Sequence, residues 1–303
     1  MGVGIIFEQM VVLVSLMATG FAIRRLKIID DVANTYLTRL LLGVTLPALL
    51  IASALDGGMD MSRGEIPHFF LIITLSFLIM GALSMIAPLA LKTKRDERGV
   101  FVAMGLFGNA SFMGIPLVAA FLPTGMLHAI LYNIVFTPPL FSLGMKLIGG
   151  KEAKVSAKLF FSPAMVGGLL ALLLFLLDIR LPSVLHRSLG LLGGVTTPVA
   201  MILLGSVLGE MNLREMLRGW RVYAITAVRL LIAPLGVFFA LSPFSIDPML
   251  LQVIVLMSAA PMAVSLAMFT IHYDVHQQIV GKGIFLSTLF SVVTIPLLLF
   301  LLL

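Results

Sequence analysis

The sequence predicts an all-α integral membrane protein with ten transmembrane helices, arranged as two inverted five-helix repeats in which helices four and nine are broken. Three observations predict this class. The chain is apolar along its whole length, it divides into ten runs long enough to cross a bilayer, and two of these runs are interrupted by small residues and proline at matching places.

Composition fixes the class of protein first. Hydrophobic residues make up 60% of the 303 residues and charged residues 11%, and the mean hydropathy is +1.14. A water-soluble domain of this size carries more polar surface. The chain has no cysteine, which excludes disulfides and cysteine-based metal sites, and we expect no cofactor. The net charge of +6 lies in loops, so it indicates membrane topology and not nucleic-acid binding.

Ten spans follow from windows of about 20 apolar residues, the length that crosses the hydrocarbon core. They cover residues 4–23, 33–55, 67–91, 100–121, 126–148, 160–177, 185–208, 217–241, 248–271 and 280–303.

Basic residues are concentrated in the odd-numbered loops between these spans. Those loops contain Arg24, Arg25, Lys27, Lys92, Lys94, Arg95, Arg98, Lys151, Lys154, Lys158, Arg214, Arg218 and Lys282. The even loops contain only Arg63, Arg180 and Arg187. The positive-inside rule therefore predicts odd loops in the cytoplasm and both termini outside. We expect the protein to reside in the cytoplasmic (inner) membrane of a bacterium.

Two interruptions stand in the middle of spans four and nine. Residues 108–116 read GNASFMGIP, and residues 258–261 read SAAP. Lipid cannot satisfy the hydrogen bonds of unwound backbone, so such breaks persist only where they line a cavity or lie buried in protein. Paired breaks at corresponding positions of two halves indicate the binding site of a transporter. Prolines that merely kink helices for packing are the alternative.

The two halves repeat weakly. GVTLP at 43–47 returns as GVTTP at 194–198, IAPL at 86–89 returns at 232–235, Pro116 pairs with Pro261, and TPPL at 137–140 pairs with TIPL at 294–297. These four matches occur in order at separations of 145 to 151 and, for the last, 157 positions. Each half contains five spans, and an odd number inverts the second half relative to the first.

The motif at 108–117, GNASFMGIPL, resembles the fourth-helix motif of the auxin efflux carrier family, which includes plant PIN-type exporters and bacterial dicarboxylate carriers. Three further stretches agree with the family. They are residues 198–209, residues 229–234, and the tail from Pro261 through His276. The resemblance covers essentially the whole chain.

The resemblance implies a ten-helix fold like that of bile acid–sodium symporters, with helices four and nine crossing. A scaffold at 1–57 and 155–210 would form a homodimer, and a transport domain at 62–148 and 215–303 would move past it as an elevator. The cargo would be a small organic anion, and the other partner is the lipid bilayer.

The breaks predict the core of a substrate site. Half-helices that start beside Pro116 and Pro261 would direct partially positive N–H ends toward a carboxylate. Asn109 can offer an amide there. Ser111, Gly114 and Ala260 belong to the same two breaks.

Arg229 is the most distinctive single residue, because it lies about eleven residues into span eight, near the bilayer centre. A cation at that depth marks either a function or a buried partner. It either contacts the anion or donates to backbone carbonyls freed at the prolines. Both interpretations place it beside the site.

Four further residues are candidates for the site. Tyr132 and Asn133 lie near mid-depth in span five, and Tyr132 matches a substrate-site tyrosine of the plant relatives, with a buried wall residue as the alternative. Thr45 and Thr196 stand close to prolines in spans two and seven. They face the site or bond carbonyls at the kinks.

One departure from the family bears on coupling. Plant auxin exporters carry an ionisable pair in the third helix, whereas span 67–91 contains only His68. A sodium-coupled symporter of the same fold remains an alternative, although Asn109 and Asn133 are few ligands for Na⁺. A membrane-embedded enzyme would need paired acids, a histidine cluster or a nucleophile–base pair at mid-depth, which this sequence lacks.

Overall fold

The computed structural model describes residues 3–55, 62–153, 162–210 and 216–302, and almost every described segment is helical. The helices are α1 Val3–Arg25, α2 Asp31–Leu55, α3 Arg63–Ala90, α4 Arg98–Leu106, α5 Ala110–Phe121, α6 Pro123–Gly149, α7 Pro163–Leu176, α8 Ser183–Glu210, α9 Trp220–Leu241, α10 Pro248–Ser258, α11 Ser265–His272 and α12 Gln277–Leu302.

Within the described ranges, seven helices are long and apolar enough to cross a membrane: α1, α2, α3, α6, α8, α9 and α12. They coincide with seven of the ten predicted spans. The predicted fourth span is divided into α4 and α5, and the predicted ninth into α10 and α11. The predicted sixth span appears as the 14-residue α7.

Some predictions fall outside the described residues. They are the loop residues Lys154, Lys158 and Arg214, the start of the sixth span at 160, and the domain limits at 1, 57, 155, 215 and 303.

Polar caps set several helix starts. Asp30 accepts a hydrogen bond from the backbone N–H of Ala33 at 2.8 Å, and Asp247 accepts one from Leu250 at 2.7 Å. Ser162 caps α7 in the same way. Such side chains satisfy N–H groups that have no partner inside the helix.

Three wide π-helical turns precede prolines of the sequence repeat. They span Leu41–Thr45, Ala110–Gly114 and Val228–Ile232, before Pro47, Pro116 and Pro234. A proline ring clashes with the carbonyl four residues earlier, and in each case that residue lies within the wide turn. The repeated prolines therefore widen the helices locally, which is a common feature of functional sites in helical proteins.

Helices α1, α2, α7 and α8 pack together and form what we call the first packing group. The contacts are close because glycines face neighbouring backbone. A Cβ atom added at Gly205 of α8 would overlap the carbonyl of Met17 in α1, and one added at Gly193 would lie 2.6 Å from the Cα of Leu49. Small residues at helix contacts allow this approach in membranes.

The other eight helices form the second packing group. In it α3 packs on α4, α6 and α9, α10 packs on α6 and α9, and α12 packs on α9 and α11. Its interior contains large buried side chains, among them Phe101, Phe107, Phe121, Phe285 and Arg229. The candidate site lies at the edge of this interior.

The two groups meet along α6 with α7, α1 with α12, and α5 with α8. Ion pairs mostly stay inside one group. Arg24 of α1 pairs with Asp31 of α2 and with Glu210 of α8, and Arg221 of α9 lies 3.9 Å from Glu97 before α4. The contact between the groups is mainly apolar.

We expect Gly205→Ala to destabilise the protein by about 1–3 kcal/mol, because the added methyl group must force α1 away from α8. Gly190→Ala is the matched control in the same helix, since nothing lies within 4 Å of a Cβ atom there. Thermal unfolding of both purified variants in detergent measures the difference. Equal stability of the two variants would contradict the close α1–α8 packing.

Candidate functional site

The two interruptions lie against each other. Gly108 and Met262 form an antiparallel β-bridge. The N–H of Asn109 donates to the carbonyl of Pro261 at 2.7 Å, and the N–H of Ala263 donates to the carbonyl of Phe107 at 3.0 Å. Each break thus supplies the hydrogen bonds that the other lacks, as buried backbone in a membrane requires.

A third helix completes this pairing. Ser287 of α12 accepts a hydrogen bond from the N–H of Met262 at 3.0 Å, and both residues are fully buried. The local sequence favours the open conformation, because Gly108, Ala259 and Ala260 are small and Pro261 cannot donate a hydrogen bond. The unwound segment after α10 continues to Ser265, so the second half-helix begins four residues beyond Pro261.

The first half-helix also begins at a different residue from the one predicted. The sequence analysis placed its start beside Pro116, but α5 begins at Ala110. Asn109 is its cap, because Oδ1 accepts from the N–H of Phe112 at 3.4 Å. The physical reason is that a capping side chain satisfies the first N–H groups, whereas Pro116 is accommodated by the wide turn that precedes it.

The side-chain amide of Asn109 has a second notable property. Asn109 is 3% exposed, and its Nδ2 atom has no hydrogen-bond partner among the described residues. Leaving a buried donor unpaired costs roughly 1–3 kcal/mol, so this amide is a candidate for contact with a ligand.

Arg229 is completely buried beneath the paired breaks. Its Nε donates to the carbonyl of Ala260 at 2.9 Å, and its Nη1 donates to the carbonyls of Leu106 at 3.0 Å and Gly105 at 3.3 Å. These carbonyls belong to the last residues of α4 and to the segment just after α10. Arg229 therefore donates to backbone carbonyls, which is one of the two interpretations offered from the sequence. We call this arrangement the carbonyl clamp.

The clamp also balances the partial charges of the helix ends. The carboxyl ends of α4 and α10 carry partial negative charge where they converge, and the guanidinium supplies a full positive charge there. Gly108 packs directly on this group, and a Cβ atom at that position would lie 2.8 Å from Cζ of Arg229. Glycine is therefore required at 108 by close approach of the backbone to the cation.

A small cavity of about 110 Å³ lies on the other side of the paired breaks. One wall consists of the start of the first half-helix, from Gly108 through Phe112. Ala263 and Ser265 contribute from the start of the second half-helix. The amino ends of α5 and α11 thus both border the cavity.

Two other sides of the cavity come from different helices. From α6 they include Phe136, Thr137, Leu140 and Phe141. From the first packing group they include Leu42 of α2 and residues 162–164 at the start of α7. The cavity therefore lies at the boundary between the two packing groups.

Of the predicted site residues, Asn109 and Ser111 line the cavity. Pro116, Ala260 and Pro261 are buried close by in the backbone of the breaks. Gly114 packs on Met257, whose sulfur would lie 2.8 Å from a Cβ atom at that position.

Tyr132 and Asn133 are buried behind the cavity. Tyr132 stacks on Phe136, a lining residue, with ring centroids 6.3 Å apart, and also packs on Phe77. Both side-chain amide atoms of Asn133 lack partners among the described residues. Its backbone carbonyl accepts from the hydroxyl of Thr137 at 2.8 Å, and Thr137 lines the cavity.

Thr45 and Thr196 are buried in the first packing group and do not border the cavity. Thr45 donates to the carbonyl of Leu41, within the wide turn, at 3.4 Å. The hydroxyl of Thr196 has no partner among the described residues. The contact of Thr45 agrees with the carbonyl-bonding role considered from the sequence.

Sequence reasoning did not select Phe112, Thr137, Phe141, Ser162 or Ser265 as cavity residues. Two signals were present, since Ser162 precedes Pro163 at a helix start and Ser265 follows the second break. Phe112 stands in the motif at 108–117, whereas Phe141 carries no signal, because a phenylalanine in an apolar span does not reveal which face of the helix it occupies.

These features define a class of protein: a polytopic helical membrane protein in which two interrupted helices pair beside a small cavity. The chain belongs to the membrane transport protein family, whose model matches residues 5–299. This is the auxin efflux carrier family that its motifs resemble.

Two archaeal relatives support the assignment. The chain is 28% identical over 306 residues to an uncharacterized transporter of Methanothermobacter thermautotrophicus, with 96% of each chain covered. It is 22% identical over 302 residues to an uncharacterized transporter of Methanocaldococcus jannaschii, again with 96% of each chain covered. The family and these relatives are transporters, and the protein is an integral membrane protein.

We expect Arg229→Gln to lower the free energy of unfolding by about 2–6 kcal/mol, because at least two buried carbonyls lose their donor at roughly 1–3 kcal/mol each. Arg229→Lys should recover part of this loss, since lysine keeps the charge but lacks the planar fork. Thermal melts of purified protein provide the measurement.

Arg221→Gln is the control for that experiment, because Arg221 lies on the same helix in a partly exposed pair 3.9 Å from Glu97. It should change stability by less than about 1 kcal/mol. If the Arg229→Gln variant were as stable as the wild-type protein but bound anions more weakly, Arg229 would instead be a direct anion contact.

Proposed function

We propose that this protein is a secondary transporter that moves a small organic carboxylate across the membrane, and that the cargo occupies the cavity beside the paired breaks. The observation that carries the proposal is the unpartnered, buried amide of Asn109, which borders a cavity at the amino ends of two half-helices. A donor in that position suits an anion, because the oxygens of a carboxylate only accept hydrogen bonds.

The charge distribution at the breaks supports an anionic cargo. Four helix ends meet there. The two carboxyl ends are neutralised by Arg229, so the two amino ends retain their partial positive charge toward the cavity. Helix amino ends with free N–H groups are common anion sites.

The mechanism we propose is alternating access of the elevator type. A transport domain at 62–148 and 215–303 would carry the cargo past a scaffold at 1–57 and 155–210. Two observations support it: the helices pack in two groups with these memberships, and the cavity lies at their boundary. We further propose ten spans in two inverted repeats, with the broken spans crossing, and a homodimer formed through the scaffold.

A sodium-coupled symporter is the second candidate. Asn133 favours it, because the residue is 1% exposed and its side-chain carbonyl oxygen, a ligand type that Na⁺ accepts, has no partner among the described residues. Stabilisation by carboxylates with and without Na⁺ distinguishes the two coupling modes.

We expect Asn109→Ala to abolish carboxylate uptake into proteoliposomes while the protein still folds, because the variant loses the buried, unpartnered amide donor that borders the cavity. Asn34→Ala is the control, since Asn34 bonds Ser206 within the first packing group, away from the cavity. If the Asn109→Ala variant took up carboxylate at the wild-type rate, the cavity would not be the cargo site.

The membrane orientation has its own test, because single cysteines can be introduced into a chain that has none. A cysteine at Ser62 should react with an impermeant thiol reagent added outside intact cells, and one at Ala153 should react only after permeabilisation. The proposal places both termini outside on the basis of the loop charges. The opposite labelling pattern would reverse the orientation.

A further inference from the structure

We propose that the cavity selects a small monocarboxylate with an apolar body and rejects dicarboxylates of the same length. This inference rests on the proposed function and goes further by naming the class of cargo. It follows from the charges that border the cavity and from its apolar walls.

The cavity can neutralise one anionic group. Among the described residues, no charged side chain lines it. Its positive potential comes from two helix amino ends, each equivalent to roughly half an elementary charge, and from the Asn109 amide. Arg229 lies behind Gly108 and already donates to three carbonyls, so it adds field without offering the cargo a hydrogen bond.

The remaining walls are unsuited to a second carboxylate. Phe136, Phe141 and Leu140 form the side provided by α6, and Leu42 faces them from α2. Hydroxyl side chains also border the cavity, but none of them carries a charge. A second ionised group there would lose its hydration without gaining a counter-charge. An aliphatic body packs well there, because apolar surface removed from water is stabilising.

The experiment compares matched ligands on the purified full-length protein. Valerate and glutarate have the same carbon chain and differ by one carboxylate, and valeramide removes the charge of valerate. Binding is measured by calorimetry, with thermal stabilisation as a second readout. We expect valerate and isovalerate to bind at least roughly tenfold more tightly than glutarate or valeramide, as expected for the loss of one charge-assisted contact.

The outcomes separate this inference from the proposed function. Wild-type protein that binds glutarate as tightly as valerate overturns the monocarboxylate assignment and leaves a carboxylate transporter. Wild-type protein that binds none of the carboxylates overturns the proposed function itself.

Discussion

Backbone hydrogen bonding in a bilayer is the constraint on which this structure depends. Unwound peptide groups at membrane depth cannot form hydrogen bonds with water, so each break needs hydrogen-bond partners within the protein. Here the two breaks supply them to each other through Asn109 and Ala263, while Ser287 and Arg229 satisfy groups that remain. Removing either break would leave the other unpaired. The two halves of the chain are therefore structurally interdependent at this point, even though they are weakly related in sequence.

The same constraint divides the helix ends into two sets with opposite roles. Arg229 binds carbonyls at the carboxyl ends of α4 and just beyond α10, whereas the amino ends of α5 and α11 border the cavity, which no charged side chain of the described residues lines. In the function we propose, a site built this way would attract an anion with backbone dipoles and one amide. The full charge of the arginine would lie behind Gly108, where the cargo could not form an ion pair with it. Moderate attraction suits a transporter, because the cargo must also be released.

Much of this architecture is predictable from sequence, for physical reasons that differ between elements. Long apolar runs give seven of the ten predicted spans directly, because span length follows from bilayer thickness. The breaks are recognisable because glycine and proline rarely stand together in an uninterrupted helix. Asn109 follows from its place in the first break. The partners of Arg229 could not be derived, since three carbonyls distant in sequence converge only after packing. The start of α11 at Ser265, and not beside Pro261, likewise depends on the bridge that holds residues 261–263 extended.

Hydrogen exchange at single-residue resolution tests the central claim most directly, because the claim is that two backbone bonds join the breaks and that Arg229 holds them. The amides of Asn109 and Ala263, bonded at 2.7 Å and 3.0 Å, should exchange as slowly as helical amides in the wild-type protein. Both should lose protection together in Arg229→Gln. Rapid exchange of these amides in the wild-type protein, at the rate of exposed loop positions, would contradict the account.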